Sequence, residues 1–320
     1  MRAYLIRRVA LIIPTLVLLT IIVFLSVRFI PGDVIDMIVA EVNTEGVMSY
    51  EEAREMIRQE LGLDTPLLEQ YWNWVTGVVQ GDLGTSMRSG KTVTEEFFSK
   101  VPISLELGIL SMIIGLLVAV PLGILSAIRQ DSMADYTGRT LAILMVSIPS
   151  FWLMTMVIVF PAILWDWMPP IEYVPFTQDP TKNLIQFGIP AIIMGAAFSG
   201  SLMRFVRTMM LEVLRQDYIR TAWSKGLSER TVIYRHALRN TLIPMITIVG
   251  MGLPGLIGGS VITEQIFNLP GVGRWLFDAV NQRDYPIISG MNLMSATLVL
   301  FCNLAVDITY AWLDPRVKYR

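Results

Sequence analysis

Six long stretches of the chain contain no aspartate, glutamate, lysine or arginine. They are residues 9–27, 107–128, 141–165, 183–203, 240–263 and 285–306. Each has at least 19 residues, and a helix of about 20 apolar residues is long enough to cross the hydrocarbon core of a membrane. Backbone amides in lipid must find hydrogen-bond partners within their own segment. The pattern therefore predicts an all-α polytopic membrane protein with six transmembrane helices.

The spacing of these stretches divides the chain into three regions. Residues 1–30 form the first transmembrane helix, 31–100 an extracytoplasmic loop region, and 101–320 a core of five further helices. Apolar residues that recur every three or four positions predict two short helices inside the loop region, over 51–61 and around 68–75. The loop region is thus expected to have structure of its own.

Prolines interrupt several of the predicted transmembrane helices. Pro121, Pro149 and Pro161 lie in the second and third helices, and Pro254 lies in the fifth. Proline has no backbone N–H and its ring displaces the preceding turn, so each position is expected to bend its helix.

Composition agrees with a membrane protein and charge placement predicts its orientation. Hydrophobic residues make up 53% of the chain and charged residues 16%, against roughly 25% charged residues in soluble domains. With the amino terminus inside the cell, the inner segments hold 16 lysines and arginines and the outer segments 9. Basic residues are retained on the cytoplasmic side of membranes, so both termini are predicted to be cytoplasmic.

The segment between the fourth and fifth stretches is basic and helix-forming. Apolar residues at Leu211, Leu214, Tyr218 and Ala222 share one helix face. Gly226 suits the left-handed conformation that ends a helix, and the serine at 228 suits the position before the next helix. Two short amphipathic helices joined at a glycine are therefore predicted on the inner membrane surface.

The sequence contains few residues that could carry catalysis or bind metal. Cys302 is the one cysteine and His236 the one histidine, so an intrachain disulfide is excluded and a zinc site has no support. The phosphate-binding pattern G-x-x-x-x-G-K-[ST] and the hydrolase pattern G-x-S-x-G do not occur. We therefore expect a non-catalytic chain that binds no cofactor and no nucleic acid.

Several motifs in order resemble one transporter family. Residues 217–227 read DYIRTAWSKGL and 236–240 read HALRN, which resembles the cytoplasmic loop of permease subunits in ABC importers of the dipeptide, oligopeptide and nickel family. The other matching motifs are RFIPGD at 28–33, LGLD at 61–64, GDLGTS at 81–86, SIPSFW at 147–152, EQIFNLPGVGR at 264–274 and DPR at 314–316. They are most similar to the first-permease subtype, which pairs with a second, different permease. Trp223 and Ser224 depart from the basic and small residues that are usual in the family.

The resemblance implies a type I ABC importer permease fold with a cytoplasmic coupling loop at 208–240. It also implies a complex with a second permease, two ATPase subunits and an extracytoplasmic substrate-binding protein, in the cell membrane of a prokaryote. ATP and Mg²⁺ would be bound by the ATPase subunits. The residues expected to couple to those subunits are Asp217, Tyr218, Arg220, Thr221, Ala222, Lys225, Gly226, Leu227, His236 and Arg239.

The translocation path is expected near the fifth helix and the segment after it. Gly255 and Gly259 are four residues apart, which permits close helix packing, either along the path at a subunit interface or within one bundle. Residues 264–280 are predicted to form a short re-entrant or surface helix that closes the path on the outer side. Glu264 and Phe267 are expected near that gate, where the carboxylate is either solvated or a substrate ligand.

The sequence leaves open the identity of the cargo and the partner of one acidic residue near the inner end of the last helix. Peptides are the expected cargo, and nickel and glutathione are alternatives within the same family. An ion-coupled secondary transporter is the alternative from another class, although it would need charged groups within the apolar stretches. At the inner end, Asp307 is predicted to pair with Arg204 or Arg207.

Overall fold

Helices form nearly all of the regular structure in the computed structural model, which describes residues 2–28, 39, 49–60, 64–170, 172–258 and 260–313. Within those residues the one β-type contact is an isolated bridge between Thr85 and Thr92. The helices are α1 (Arg2–Arg28), α2 (Tyr50–Glu60), α3 (Leu67–Val79), α4 (Val93–Ile128), α5 (Met133–Ser147), α6 (Ser150–Trp165), α7 (Pro180–Leu214), α8 (Asp217–Ser224), α9 (Glu229–Thr231), a π-helical segment (Val232–Leu238), α10 (Arg239–Gly258), α11 (Val261–Ile266), α12 (Val272–Gln282) and α13 (Tyr285–Leu313).

Four helices in the described residues are long and apolar enough to cross a membrane. These spans are Ala10–Arg28, Val93–Ile128, Pro180–Leu214 and Tyr285–Thr309, and they contain four of the six charge-free stretches. The two short helices predicted in the loop region are α2 and α3. The all-helical prediction is therefore confirmed, and a multi-pass arrangement follows from the four spans.

The third charge-free stretch, 141–165, is not one straight helix. It is divided between α5 and α6, whose axes differ by 84° across a short break. At the break Ile148 is extended, with φ −80° and ψ 122°, and Pro149 precedes the first turn of α6. Proline disfavours the helical conformation in the residue before it, and α5 ends at this point. The pair would be a fifth span if both helices cross the membrane together.

The fifth charge-free stretch, 240–263, is also divided. It falls on α10, which ends at Gly258, and on the beginning of α11. Gly259, which was predicted to pack against another helix, lies outside the described residues.

The described chain forms two compact units. Residues Lys100–Trp275 and the chain from Phe301 onward make up the larger unit, and Arg2–Ser99 with Leu276–Leu300 make up the smaller one. The interior of the larger unit is built around α7, where the buried side chains include Phe187, Leu202, Met203, Val206 and Met210. This helix thus contributes several of the most buried apolar side chains of the larger unit.

Two glycines of α7 allow those neighbours to approach closely. A Cβ atom at Gly200 would lie 2.6 Å from the carbonyl oxygen of Ala142 on α5. A Cβ atom at Gly195 would lie 2.7 Å from the carbonyl oxygen of Ser111 on α4. Small residues let membrane helices pack backbone against backbone, so α4 and α5 are held against α7 at these points.

The smaller unit joins α1 to α3 and the 81–92 loop to the start of α13. Tyr71 of α3 contacts α1 twice, through a 2.9 Å hydrogen bond to the Thr20 hydroxyl and an edge-on ring contact with Phe24. In the loop, the Ser86 hydroxyl donates a 2.6 Å hydrogen bond to the buried carboxylate of Asp284. Residues of the predicted loop region therefore contact both α1 and the residue that precedes α13.

Candidate functional site

The polar segment that follows α7 is folded onto the larger unit through a few apolar side chains. In α8, Ile219 is fully buried and Ala222 is 6% exposed. Val232, Ile233 and Ala237 of the π-helical segment join the same apolar cluster as Val206 and Met210. The segment is thus attached to the end of α7, and its charged face is left outside.

The apolar stripe differs from the predicted one by one residue. The prediction continued the α7 stripe through Tyr218, but Tyr218 is 43% exposed and Ile219 is buried in its place. The reason is a break at Arg215 and Gln216, which separates α7 from α8 and changes the register of the helix face.

Gly226 has the left-handed backbone that the sequence predicted. Its φ is +74°, and its N–H donates a 2.9 Å hydrogen bond to the carbonyl of Trp223. The N–H of Leu227 reaches back 3.4 Å to the carbonyl of Ala222. This pairing satisfies carbonyls at the end of α8. No atom lies within 4 Å of the position that a Cβ at Gly226 would take, so the constraint on this residue is conformational rather than steric.

The second predicted amphipathic helix is continuous with the next long helix. Ser228 precedes α9, as expected, but its hydroxyl contacts the Thr231 hydroxyl at 2.9 Å instead of capping a backbone N–H. From α9 the chain continues through the π-helical segment into α10. Neither glycine nor proline occurs from residue 228 to 243, so nothing ends the helix there. π-helical turns are rare and are frequent at functional sites.

One hydrogen bond connects the two parts of the segment. The side-chain amide of Asn240 donates 2.8 Å to the phenolic oxygen of Tyr218 and 2.9 Å to the carbonyl of His236. Asn240 closes the HALRN motif but was not among the predicted coupling residues. The bond holds α8 against the start of α10 across 22 residues of chain.

The predicted coupling residues are mostly on the surface of this segment. Ala222 is buried and His236 is half-buried, whereas the exposed ones are Asp217, Tyr218, Arg220, Thr221, Lys225, Gly226, Leu227 and Arg239. Asp217 and Arg220 lie 3.4 Å apart, both well exposed, and an exposed pair of this kind contributes little to stability. Trp223, which departs from the family pattern, is 45% exposed. The segment thus exposes basic and aromatic side chains on its surface.

A buried ion pair fixes the helices next to this segment. The carboxylate of Asp135 is completely buried and receives two hydrogen bonds from Arg207, at 2.6 and 2.7 Å. It also accepts hydrogen bonds from the Ser126 hydroxyl and from the Asp131 backbone N–H. The cluster joins α4, α5 and α7.

This pair corrects the prediction for Asp307. Arg207 is bound bidentately by Asp135, and in the described part of the chain no ion pair joins Asp307 to Arg207 or to Arg204. The predicted partners of Asp307 were therefore wrong. Helix spacing placed an acid near two arginines but carried no information about α5.

The residues predicted near the gate and the path differ in burial: two of them are enclosed and one is exposed. Glu264 is fully buried: one carboxylate oxygen accepts from Ser104 at 2.6 Å and Ser260 at 2.7 Å, and the other accepts from the Arg274 N–H at 2.9 Å. The carboxylate is thus neither solvated nor open to a ligand, and it ties α11 and α12 to α4. Phe267 is 4% exposed. Gly255 is exposed, with open space where a Cβ would stand.

No metal site is formed in the described ranges, where histidine, cysteine and carboxylate side chains do not gather in groups of three.

Comparison with protein families gives two adjoining matches that together span nearly the whole chain. Residues 119–319 match the family described as binding-protein-dependent transport system inner membrane component. Residues 1–108 match the amino-terminal region of binding-protein-dependent transport system membrane components.

Curated relatives match along their full length. The dipeptide transport system permease protein DppB of Escherichia coli is 37% identical over 343 residues, covering 100% of both chains. The oligopeptide transport system permease protein AppB of Bacillus subtilis is 38% identical over 322 residues, again with 100% coverage of both. The glutathione transport system permease protein GsiC of Salmonella typhimurium is 37% identical over 317 residues, covering 99% of each.

Solved structures share the fold at much lower identity. The MetNI methionine ABC transporter, in inward-facing conformations, includes a chain that is 17% identical with a TM-score of 0.55, covering 68% of this chain and 96% of that one. An amino acid ABC transporter crystallised with histidines gives 13% identity and a TM-score of 0.50, and the match covers 70% of this chain and 95% of that one.

Proposed function

Because the chain belongs to the family of binding-protein-dependent transport system inner membrane components, we propose that it is a channel-forming permease subunit of an ATP-driven peptide importer. It moves cargo by alternating access, driven by ATP hydrolysis on separate subunits. The chain itself is non-catalytic, and ATP and Mg²⁺ are bound by those subunits.

The observation that carries this proposal is how the coupling segment is built. The segment 208–240 buries Ile219, Ala222 and Val232 in the cluster around α7 and exposes its charged and aromatic residues. A partner that moves this surface therefore also moves α7, because the two are packed as one body. Alternating access needs such a rigid connection between the nucleotide state of the partner and the helices.

The topology follows from the spans and the basic residues. We place six crossings in the membrane, with the bent pair of α5 and α6 and the pair of α10 and α11 completing the four long spans. Both termini and the coupling segment are cytoplasmic because the basic residues concentrate on that side. The partners are a second permease, two ATPase subunits and an extracytoplasmic binding protein.

Contact with the ATPase subunits is assigned to the exposed residues of the coupling segment. Tyr218, Arg220, Lys225 and Arg239 offer donors and one aromatic ring, and Gly226 fixes the turn between them. Gly255 and Gly259 are assigned to the path, and Glu264 and Phe267 to the wall of the outer gate. The buried contacts of Glu264 support a structural part in that wall.

The cargo is assigned to peptides on the names of the relatives. DppB is named for dipeptides and AppB for oligopeptides, while GsiC is named for glutathione, which is itself a peptide. Nickel and glutathione are the alternative cargoes, and the uptake test below distinguishes them from dipeptides.

The test is ATP-driven uptake by the importer purified with its partners and reconstituted into liposomes. Radiolabelled dialanine, glutathione and Ni²⁺ are offered in parallel, each with its binding protein saturated. We expect ATP-dependent accumulation of dialanine. Accumulation of Ni²⁺ alone, or uptake that follows an ion gradient without ATP, would overturn the assignment.

A further inference from the structure

The short helix α3 packs against the membrane-spanning helix α1 through two aromatic side chains. The phenol oxygen of Tyr71 lies 2.9 Å from the Thr20 hydroxyl, and its ring meets the Phe24 ring edge-on, with centroids 5.2 Å apart. The Trp74 ring also contacts Phe24, at 5.8 Å between centroids. Thr20 and Phe24 are both buried. One side of α3 is thus attached to α1 over more than a helical turn.

The contacts with α3 lie within the hydrocarbon part of α1. The charge-free stretch 9–27 rises about 28 Å as a helix, close to the thickness of the hydrocarbon core, so that Arg28 marks its outer boundary in the proposed topology. Phe24 then lies about 6 Å and Thr20 about 12 Å inside that boundary along the helix axis. Because α3 touches both residues, it lies at the depth of the outer acyl chains. Interfacial helices bury their apolar faces to a similar depth, about 5–10 Å.

A second apolar side of α3 lies beside the one that contacts α1. Leu68, Trp72, Val75 and Val79 recur at intervals of three and four residues, which places them along one side of the helix. We call these four residues the exposed stripe, because Leu68 is 80%, Trp72 66% and Val79 83% exposed. Apolar surface that a folded chain leaves uncovered in this way commonly marks contact with a protein or a membrane.

The remaining side of α3 is polar. Glu69 and Asn73 are exposed and lie four residues apart. The Thr76 hydroxyl, on the same side, donates within the helix to the carbonyls of Trp72 and Asn73, at 2.8 and 2.9 Å. With 3.6 residues per turn, this polar side lies opposite the residues that contact α1. A helix with one polar side and with leucine and tryptophan on its apolar surface is typical of the membrane interface.

We propose that the exposed stripe of α3 is seated in the outer leaflet of the membrane and contacts phospholipid acyl chains directly. Lipid is the occupant that fits both observations, because the contacts with Thr20 and Phe24 hold α3 at acyl-chain depth and the stripe continues the apolar surface of α1. Tryptophan suits this position, since its amphipathic ring favours the boundary between acyl chains and headgroups. α3 is thus a membrane-embedded part of the region that follows α1.

The inference goes beyond the proposed function, because it concerns a surface that neither the cargo nor ATP touches. It depends on α1 crossing the membrane, which its length and composition support, and on the proposed topology for the choice of leaflet. Transport of a different cargo would leave it unchanged.

The test measures the surroundings of single nitroxide spin labels on the importer, purified with its partners and reconstituted into phosphatidylethanolamine–phosphatidylglycerol liposomes. Leu68→Cys, Val79→Cys or Glu69→Cys is introduced into a chain in which Cys302→Ser removes the one native thiol. The Cys302→Ser chain, labelled in parallel, gives the background signal of the partner subunits. Electron paramagnetic resonance then compares collisions with O₂, which concentrates in lipid, and with the water-soluble complex nickel-EDDA. We expect an O₂-to-nickel collision ratio several-fold higher at residues 68 and 79 than at residue 69.

Glu69→Cys is the matched control, because Glu69 adjoins Leu68 but lies on the polar side and is exposed. Nickel collisions at residues 68 and 79 as frequent as those at residue 69 would place the exposed stripe in water and overturn the inference. Few collisions with either probe would mean that a protein surface, such as the second permease or the binding protein, covers the stripe, and this result would overturn it as well.

A second measurement needs no cysteine variant. Tryptophan fluorescence of the reconstituted importer is recorded with and without phospholipids brominated on their acyl chains, for wild type and for Trp72→Phe. We expect the variant to lose part of the fluorescence that brominated lipid quenches. Equal quenchable fluorescence in the two proteins would contradict the inference. The uptake assay on the wild-type importer decides the proposed function separately, since it does not depend on α3 or its surroundings.

Discussion

The guanidinium of Arg207 on α7 binds the completely buried carboxylate of Asp135 on α5 through two hydrogen bonds, at 2.6 and 2.7 Å, while the Arg207 side chain is 17% exposed. The pair lies between helices whose backbones touch at Gly200. Fixed hydrogen bonds and close backbone packing together make α5 and α7 a single mechanical element next to the coupling segment.

Removal of one partner of this pair should destabilise the protein strongly. Asp135→Ala leaves the half-buried Arg207 charge without its carboxylate; removing one partner of a fully buried pair costs about 3–5 kcal/mol, which is the upper bound here. We expect a large fall in the melting temperature of the solubilised complex, and a partial recovery when Arg207→Leu is added. The measurement is thermal unfolding followed by fluorescence-detected size exclusion.

Asp131→Asn provides the control for that prediction. Asp131 is exposed in the same turn, with φ +61°, a conformation that asparagine tolerates. It should keep the wild-type melting temperature. An Asp135→Ala protein as stable as this control would mean that the ion pair does not hold the two helices together.

Gly226 should tolerate asparagine better than valine. With φ +74° and no neighbour within 4 Å of its Cβ position, the cost of substitution is backbone strain, about 1–3 kcal/mol for a residue forced into that region. Gly226→Val is expected to reduce transport-coupled ATPase activity with normal membrane insertion, and Gly226→Asn to retain most of it. Equal activity of the two variants would contradict a conformational role.

The hydrogen bond between Tyr218 and Asn240 should be detectable in a double-mutant cycle. Tyr218→Phe and Asn240→Ala each remove it, and each is expected to lower the stability of the segment by about 0.5–1.5 kcal/mol. The double variant should lose little more than a single one, because the same bond is removed twice. Strictly additive losses, measured from hydrogen exchange of α8, would show that the two residues act independently.

Glu264 should act on stability rather than on cargo selection. Glu264→Gln replaces one acceptor oxygen by an NH₂ group, which meets either the hydroxyls of Ser104 and Ser260 or the backbone N–H of Arg274, at a cost of about 1–3 kcal/mol. A lower melting temperature with an unchanged order of preference among peptides is expected, and exposed Glu212→Gln is the control. Altered preference at wild-type stability would instead place Glu264 in contact with the cargo.

The sequence predicted the elements better than their contacts. Charge-free stretches located the long helices because lipid imposes one simple requirement on every residue within them. The turn at Gly226 was predictable because few other residues favour that backbone conformation. The bend predicted at Pro149 is confirmed, because α5 ends at the residue before that proline and the axes of α5 and α6 differ by 84°.

Contacts between distant residues left no comparable signal. Asp135 and Arg207 are 72 positions apart, and Ser104 and Glu264 are 160 apart. No periodicity reports which helices become neighbours. The sequence therefore paired Asp307 with Arg204 or Arg207, and placed Glu264 near a gate, either solvated or in contact with substrate.

The central claim is that this chain works as one subunit of an ATP-driven importer, and its most direct test is the composition of the native complex. The tagged chain is purified from its own membrane in mild detergent, and the proteins that accompany it are identified by mass spectrometry. We predict recovery of a second, homologous permease and of ATPase subunits with the G-x-x-x-x-G-K-[ST] motif. Recovery of the chain alone, under conditions that preserve other membrane complexes, would contradict the account and favour a self-sufficient transporter.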